Sequence, residues 1–143
     1  MALLVQKFGG TSVGSVERIQ AVAERIGRCR DDGHSVVAVV SAMGHTTDEL
    51  TGLAAAINTS PPQREMDMLL ASGEQVSIAL LAMALNQQGV TAVSMTGPQV
   101  GIVTESIHGR ARILEIRTDR IHNQLNEGRV VVVAGFQGTS SGP

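Results

Sequence analysis

The chain has 143 residues, enough for one domain, and an apolar fraction of 43% agrees with a buried core. Its formal net charge of −2, without a basic block, argues against nucleic acid or a membrane surface as a partner held mainly by charge. Two Phe and no Trp or Tyr argue against binding by base stacking.

Other features concern the cellular compartment and metal sites. Cys29 is the only cysteine, so the chain has no internal disulfide or cysteine metal cluster, as suits a reducing cytoplasm. We expect no membrane span, because no apolar run approaches the required length, and Lys7 interrupts the apolar N-terminus before a signal-peptide core. The four histidines lack ligand spacing, so we predict no metal site. The chain is predicted to be cytoplasmic.

The segment Lys7 to Ser12 holds two adjacent glycines, Gly9 and Gly10. An apolar run, Leu3 to Val5, precedes it and a helix-patterned segment follows, so the glycines lie between a strand and a helix. The N–H groups at a helix start favour an anion, glycines permit close approach, and the lysine adds positive charge. The lysine precedes both glycines, unlike in a Walker A loop. A phosphate loop and an ordinary strand-to-helix turn both fit.

The next elements alternate between helix and strand. Ser15 is predicted to cap a helix whose apolar spacing continues to Cys29. The all-apolar run Val36 to Val40 predicts a strand buried on both faces. Thr46, with Glu49 three residues later, predicts a capping box at the start of a second helix.

A third helical region is predicted from about Arg64 to Gln88. Ser72 and Gln75 offer a second capping box, so we expect a break near Ser72 and Gly73. After it we predict a strand from Val90 to Met95, a turn at Gly97-Pro98 and a short extended piece from Gly101 to Thr104. Ala111 to Ile116 is predicted as a strand or a loop. A helix from Thr118 to Glu127 and a strand from Val130 to Ala134 follow.

This alternation predicts an α/β fold, a three-layer sandwich with a mostly parallel central sheet. Three strands lead into small polar or glycine-rich segments, Lys7 to Ser12, Ser41 to Gly44 and Gly135 to Gly138. Ligands of open parallel sheets bind at the carboxyl ends of strands, so we expect these three loops to meet at one site. The chain stops in loop-like residues after a strong strand, which predicts a domain incomplete at its C-terminal side.

Three side chains near these loops are candidates for binding. Taken alone, Ser41 and Thr47 are more typical of residues that only satisfy backbone groups at a strand end or a helix cap than of binding residues. Glu74, in an apolar stretch, is predicted to complement a helix dipole or to bind a cationic group. The residues alone therefore indicate an α/β protein that binds a small anionic ligand.

Five segments together resemble the bacterial aspartate kinase (aspartokinase) family: Lys7 to Val13, Val40 to Gly44, Ser72 to Gln75, Thr96 to Gln99 and Ala134 to Gly138. The resemblance holds in order over essentially the whole chain. It covers only the N-terminal part of that family's catalytic domain. It therefore implies that residues 1–143 are the N-terminal portion of an amino-acid-kinase domain, without the nucleotide-binding second half and the ACT regulatory domains.

The resemblance implies that the full-length enzyme phosphorylates the side-chain carboxylate of L-aspartate with ATP, the first step of lysine, threonine and methionine synthesis. It gives Lys7 and the backbone of Phe8, Gly9 and Gly10 to the ATP phosphates, with Lys7 catalytic and Mg²⁺ held mainly through those phosphates. The aspartate-binding positions that it implies are Ser41, Thr47, Glu74, Gly135 and Phe136. It also implies a homo-oligomer, and it predicts that the 143-residue chain alone is inactive or nearly so.

Two other interpretations stay open. The first is another amino-acid kinase of the same fold, such as acetylglutamate or glutamate kinase. Glu74 argues against acetylglutamate, because an N-acylated substrate has no ammonium group for this carboxylate to bind. The second is a non-catalytic assembly module, in which the Met-rich helix beginning near Met66 packs against another subunit.

Overall fold

A computed structural model gives the fold and describes residues 2–100, 102–104, 113–116, 119–135 and 139–140. The strands are β1 Leu3–Phe8, β2 Ser35–Val40, β3 Ala92–Met95, β4 Ile102–Thr104, β5 Ile113–Ile116, β6 Val130–Ala134 and β7 Thr139–Ser140. The helices are α1 Val16–Asp31, α2 Thr46–Ile57, α3 Gln63–Gln87, α4 Gly97–Val100 and α5 Asp119–Asn126.

The main sheet has four strands, all parallel, in the order β1-β2-β6-β3. The central strands β2 and β6 are the two valine-rich runs, and every residue of β6 is buried. Continuous apolar runs suit strands covered on both faces, because neither face meets water. A second, three-stranded sheet in the order β5-β4-β7, which the sequence analysis did not predict, pairs β4 antiparallel to β5 and parallel to β7.

Helices cover both faces of the main sheet. On one face, a core of buried side chains that includes Phe8, Ile26, Leu81 and Val132 joins the strands to α1 and α3. On the other face, α5 packs against buried valines of β2 and β6. The predicted three-layer α/β arrangement with a parallel sheet is therefore confirmed.

The first predicted helix cap is confirmed and the second is wrong. The Ser15 hydroxyl accepts a hydrogen bond from the Arg18 N–H at 3.2 Å, as an N-cap does. At α2, His45 is the N-cap residue and no side chain caps the helix. Thr46 instead lies inside the helix, and its N–H donates to the Met43 carbonyl at 2.8 Å. The backbone of the preceding loop thus satisfies the group that a capping side chain would have bonded.

The predicted break in the third helix is also wrong, since α3 runs for 25 residues without interruption. The Ser72 hydroxyl donates to the Leu69 carbonyl at 2.5 Å, so it is satisfied within its own helix and caps nothing. Gly73 serves close packing. A Cβ there would lie 3.1 Å from Thr46 Cγ2 and 3.3 Å from Leu50 Cδ1, so the missing side chain lets α2 approach α3.

α3 also corrects the expectation that no segment approaches membrane-span length. It is the one helix in the described part of the chain that is long and apolar enough, with a mean hydropathy of 1.6 in its 18-residue window. One face of α3 is buried, through residues such as Ile78, Leu81 and Leu85. That face lies against the main sheet and α1. The length and apolar character of α3 are thus those of a core helix.

Candidate functional site

The loop that holds the two glycines begins two residues later than predicted, because β1 continues through Lys7 and Phe8. These residues pair in register with Val39 and Val40 of β2. Successive side chains of a strand point to opposite faces. Phe8 is accordingly buried in the core beneath α1 and α3, whereas Lys7 is exposed. Lys7 thus carries its positive charge at the carboxyl end of β1, beside the glycines.

The two adjacent glycines have different surroundings. The Gly10 carbonyl accepts a hydrogen bond from the Gly44 N–H at 2.9 Å. A Cβ on Gly10 would lie 3.0 Å from the Ala42 carbonyl oxygen and 3.3 Å from that of Gly44. A Cβ on Gly9 would meet nothing within 4 Å. Gly10 therefore joins the first loop to the loop after β2, while Gly9 leaves open space for a ligand to approach the backbone.

Short-range bonds hold the glycine segment on the start of α1. The Ser12 N–H donates to the Gly9 carbonyl at 3.1 Å, which closes a turn. The Arg18 side chain donates from Nη1 to the Thr11 carbonyl at 2.7 Å. Val13 is fully buried and anchors the turn in the core. The Gly9 and Thr11 carbonyls are therefore both hydrogen-bonded, and the loop is tied to α1 through Arg18.

The loop after β2 is held by bonds to two other elements. The Ser41 N–H donates to the Phe8 carbonyl at 3.1 Å, which extends the pairing with β1. The Ser41 carbonyl accepts from the Ser77 hydroxyl of α3 at 2.6 Å. Ser77 is fully buried and was not predicted as a site residue. Its signal in the sequence is a hydroxyl within an apolar stretch, one helical turn after Glu74.

Glu74 is a buried carboxylate at the carboxyl end of β6, although it lies in mid-helix and not beside a cap. Its residue exposure is 8%. A Cβ on Gly135 would lie 3.4 Å from Glu74 Oε2, so the glycine leaves room for the carboxylate. The Gly135 N–H donates to the Val40 carbonyl at 3.0 Å. The end of β6 therefore lies beside both Glu74 and the end of β2.

The three strand ends expected to meet do so in the described residues. Gly10 bonds to the loop after β2, and Gly135 bonds to Val40 and lies beside Glu74. Thr47 lies in the first turn of α2 with an exposed side chain. Phe136 falls outside the described residues. In the described ranges, no three His, Cys, Asp or Glu side chains form a group that could hold a metal ion.

Nearly the whole chain matches a known protein family. Residues 2–142 match the model of the amino acid kinase family. The chain belongs to the amino acid kinase family. The match covers nearly every residue, so the glycine segment, α3 and the end of β6 all lie within this family's domain.

Several aspartate kinases are similar to this chain. An aspartokinase of Bacillus sp. (strain MGA3) is 64% identical over 138 residues, which are 96% of this chain and 34% of that protein. A crystal structure of aspartate kinase from Synechocystis has 59% identity and a TM-score of 0.81, over 95% of this chain and 22% of that one. E. coli aspartokinase III, solved with aspartate and ADP, has a TM-score of 0.79 at 21% identity and shows the shared fold. The chain spans about a third of the length of the curated relatives that it matches.

Ser77→Ala is expected to lower the free energy of unfolding of the chain by about 1–3 kcal/mol, because the Ser41 carbonyl loses its partner. Ser72→Ala on the same helix is the matched control. Its hydroxyl bonds only within α3 and is exposed, so we expect a change within about 0.5 kcal/mol. Urea unfolding followed by circular dichroism measures both. Equal losses in the two variants would show that the bond between Ser77 and Ser41 does not stabilise the loop.

Proposed function

We propose that this chain is the N-terminal portion of the catalytic domain of a cytoplasmic aspartate kinase. The complete enzyme would transfer the γ-phosphoryl group of ATP to the side-chain carboxylate of L-aspartate and form 4-phospho-L-aspartate, as the first step of lysine, threonine and methionine biosynthesis. The observation that carries the proposal is a buried carboxylate, Glu74, at the strand ends that also hold the open glycine loop. The 64% identity to an aspartokinase supports the choice of substrate.

In this proposal the first loop holds the ATP phosphates. Lys7 supplies positive charge, and the backbone of Phe8, Gly9 and Gly10 approaches the phosphate oxygens. The open space over Gly9 and the fixed turn that follows support this assignment. Mg²⁺ would be held mainly through the phosphates, since the described residues contain no acidic cluster for it. The cation neutralises charge on the phosphates when it is bound.

Aspartate would occupy the space between the loop after β2 and the end of β6. Ser41, Thr47, Gly135 and Phe136 would line this pocket, and Glu74 would pair with the substrate ammonium. A charge-assisted bond of this kind contributes on the order of 1.5–3 kcal/mol. It would separate aspartate from a dicarboxylate that lacks the amino group. The hydrogen bond of Gly135 to Val40 and its position beside Glu74 support a single pocket.

Phosphoryl transfer to a carboxylate does not require removal of a proton from the acceptor group. The aspartate side chain is ionised at neutral pH, so no general base is required. The protein must bring two anions together in line and stabilise the negative charge on the transferring group. Lys7 would stabilise that charge, and its position near the end of β1, two residues before Gly9, supports this role. The hydrogen-bonded loops would hold the two anions in line.

The relatives are about three times as long as this chain. We propose that a nucleotide-binding second half and ACT regulatory domains follow in a longer polypeptide, and that the full enzyme is a homo-oligomer. The 143-residue chain by itself would then lack part of the ATP site. Incubation of the chain with ATP, Mg²⁺, L-aspartate and hydroxylamine is expected to give no aspartyl hydroxamate above the protein-free rate. Sustained ATP-dependent product would contradict the assignment as an incomplete domain.

The proposed activity is testable in a chimera. This chain replaces the matching N-terminal third of the Bacillus sp. (strain MGA3) aspartokinase, and the hydroxylamine trap detects the acyl phosphate. We expect ATP-dependent turnover of L-aspartate by the chimera. The Bacillus remainder without this chain is the control and is expected to be inactive. A folded chimera with no turnover would contradict the proposed function.

Lys7→Met in the chimera is expected to lower kcat by roughly 100-fold or more, because the transferring phosphoryl group loses a nearby cation. The free energy of unfolding should change little, since the side chain is exposed. Arg25→Met, an exposed cation on α1, is the matched control and should leave kcat unchanged. Unchanged turnover in Lys7→Met would remove this lysine from the mechanism.

A further inference from the structure

The backbone N–H groups of the glycine segment are oriented by hydrogen bonds to its carbonyl groups. In a trans peptide bond the C=O and the N–H point in opposite directions. The Gly9 carbonyl accepts from the Ser12 N–H at 3.1 Å, so the Gly10 N–H points away from Ser12. The Gly10 carbonyl accepts from the Gly44 N–H at 2.9 Å, so the Thr11 N–H points away from Gly44. Successive N–H groups oriented by a turn form the concave sites in which proteins bind phosphate.

A third carbonyl of the segment, that of Thr11, bonds to a side chain of α1. Arg18 donates to it from Nη1 at 2.7 Å, and the Gly14 N–H donates to it at 3.3 Å. The bond from Arg18 is the shorter of the two, as is usual for a charged donor. Because it fixes the Thr11 carbonyl, it turns the opposite end of that peptide bond, the Ser12 N–H, toward the Gly9 carbonyl. The side chain of Arg18 thus stabilises the turn that orients the Gly10 N–H.

The backbone of Arg18 is fixed by the start of α1 and does not depend on its side chain. The Arg18 N–H donates to the hydroxyl of the N-cap residue Ser15 at 3.2 Å. The next residue, Ile19, is buried in the core. Arg18 itself is exposed, so its guanidinium group also meets solvent. A substitution of the Arg18 side chain therefore removes the bond to Thr11 and leaves the helix cap and the core in place.

We infer that Arg18 is a positioning residue of the proposed ATP site. Through the Thr11 carbonyl it keeps the turn closed, and the closed turn directs the Gly10 and Thr11 N–H groups toward the phosphates. The inference rests on the proposed function, in which this segment binds ATP. It gives Arg18 no contact with the nucleotide, whereas the charge of Lys7 would act on the phosphates directly.

Amide hydrogen exchange of the 143-residue chain, followed by NMR without nucleotide, tests the turn by itself. In Arg18→Met the Ser12 N–H should exchange at least about threefold faster than in the wild-type chain, because the turn opens more often. Arg25→Met, an exposed cation on the same helix, is the matched control and should leave the Ser12 exchange rate unchanged. An unchanged rate in Arg18→Met would overturn the inference. An inactive parent chimera would contradict the proposed function, whereas this exchange rate needs no kinase activity.

Steady-state kinetics of the chimera test the consequence for ATP. Arg18→Met is expected to raise the KM for ATP roughly tenfold and to leave the KM for L-aspartate unchanged, because misdirected donors weaken phosphate binding alone. Arg18→Lys keeps a charged donor and should recover most of that loss. An unchanged KM for ATP in Arg18→Met, or an equal rise in both KM values, would overturn the inference.

Salt dependence separates a positioning role from direct attraction between Arg18 and the phosphates. The ratio of the KM for ATP in Arg18→Met to that in the parent chimera should be the same at about 0.05 M and about 0.5 M KCl, since salt screens attraction between exposed charges and not the orientation of a peptide bond. A ratio that falls toward one at the higher concentration would assign the Arg18 charge to the phosphates themselves and overturn the positioning role.

Discussion

Glu74→Gln in the chimera is expected to lower kcat/KM for L-aspartate by roughly 100-fold, because the substrate ammonium loses a buried, charge-assisted partner. Glutamine keeps nearly the same volume beside Gly135, so the packing there is preserved. The substitution should weaken binding of L-aspartate and leave binding of ATP unchanged. The KM for ATP should therefore remain close to that of the parent chimera.

Glu65→Gln is the matched control for this substitution. Glu65 lies in the first turn of the same helix, is exposed, and pairs with Arg64 at 2.9 Å. Loss of such a surface pair is worth about 0–1 kcal/mol, and we expect turnover to be unchanged. A second measurement is inhibition by N-acetyl-L-aspartate. The parent chimera should prefer L-aspartate, and Glu74→Gln should lose most of that preference. A variant that keeps both its kcat/KM and its preference would contradict the role of Glu74.

Gly10→Ala is expected to lower the free energy of unfolding by about 1–3 kcal/mol, because the new methyl group meets backbone. Its Cβ would lie 3.0 Å from the Ala42 carbonyl oxygen and 3.3 Å from that of Gly44. Those oxygens cannot rotate away as a flexible side chain can. The two loops would have to separate, which would weaken the 2.9 Å bond between Gly44 and Gly10.

Gly9→Ala is the matched control, because it tests whether any added side chain in this loop lowers the free energy of unfolding. A Cβ on Gly9 meets nothing within 4 Å, so the fold should accept it with a change of about 0.5 kcal/mol or less. Urea unfolding of both variants provides the comparison. Equal destabilisation would show that the contact at Gly10 does not hold the loops together. ATP binding is expected to weaken in Gly9→Ala, because the methyl group would occupy the space left for phosphate.

Local chemistry was sufficient to predict most of the fold. The run Val130 to Ala134 is β6 to the residue, because a valine run buried on both faces has few alternatives. The Ser15 cap was also predictable, since its hydroxyl bonds three residues ahead. The predicted capping boxes at Thr46 and Ser72 were wrong because backbone carbonyl groups accept the hydrogen bonds there. The Met43 carbonyl bonds Thr46, and Ser72 bonds back to Leu69.

The site was predictable only in part. The glycine loop and Glu74 were predicted as candidates from residue type and position. The parallel topology brings the ends of β1, β2 and β6 to one edge of the sheet, and Glu74 of α3 lies beside the end of β6. Ser77 was missed because its partner, Ser41, lies 36 residues away and nothing local indicates the bond. The different surroundings of Gly9 and Gly10 depend likewise on Ala42 and Gly44 of another loop. Contacts between segments that are distant in the sequence depend on how the chain packs, and the spacing of apolar residues does not predict them.

Substrate choice by the chimera is the most direct measurement of the proposed function. L-aspartate, L-glutamate and N-acetyl-L-glutamate are each incubated with ATP, Mg²⁺ and hydroxylamine, and the initial rates of hydroxamate formation are compared. If Glu74 and the loop after β2 hold the substrate ammonium and carboxylates as proposed, L-aspartate should exceed both other substrates by roughly 100-fold or more in kcat/KM. A comparable or higher rate with L-glutamate or N-acetyl-L-glutamate would contradict the assignment as an aspartate kinase.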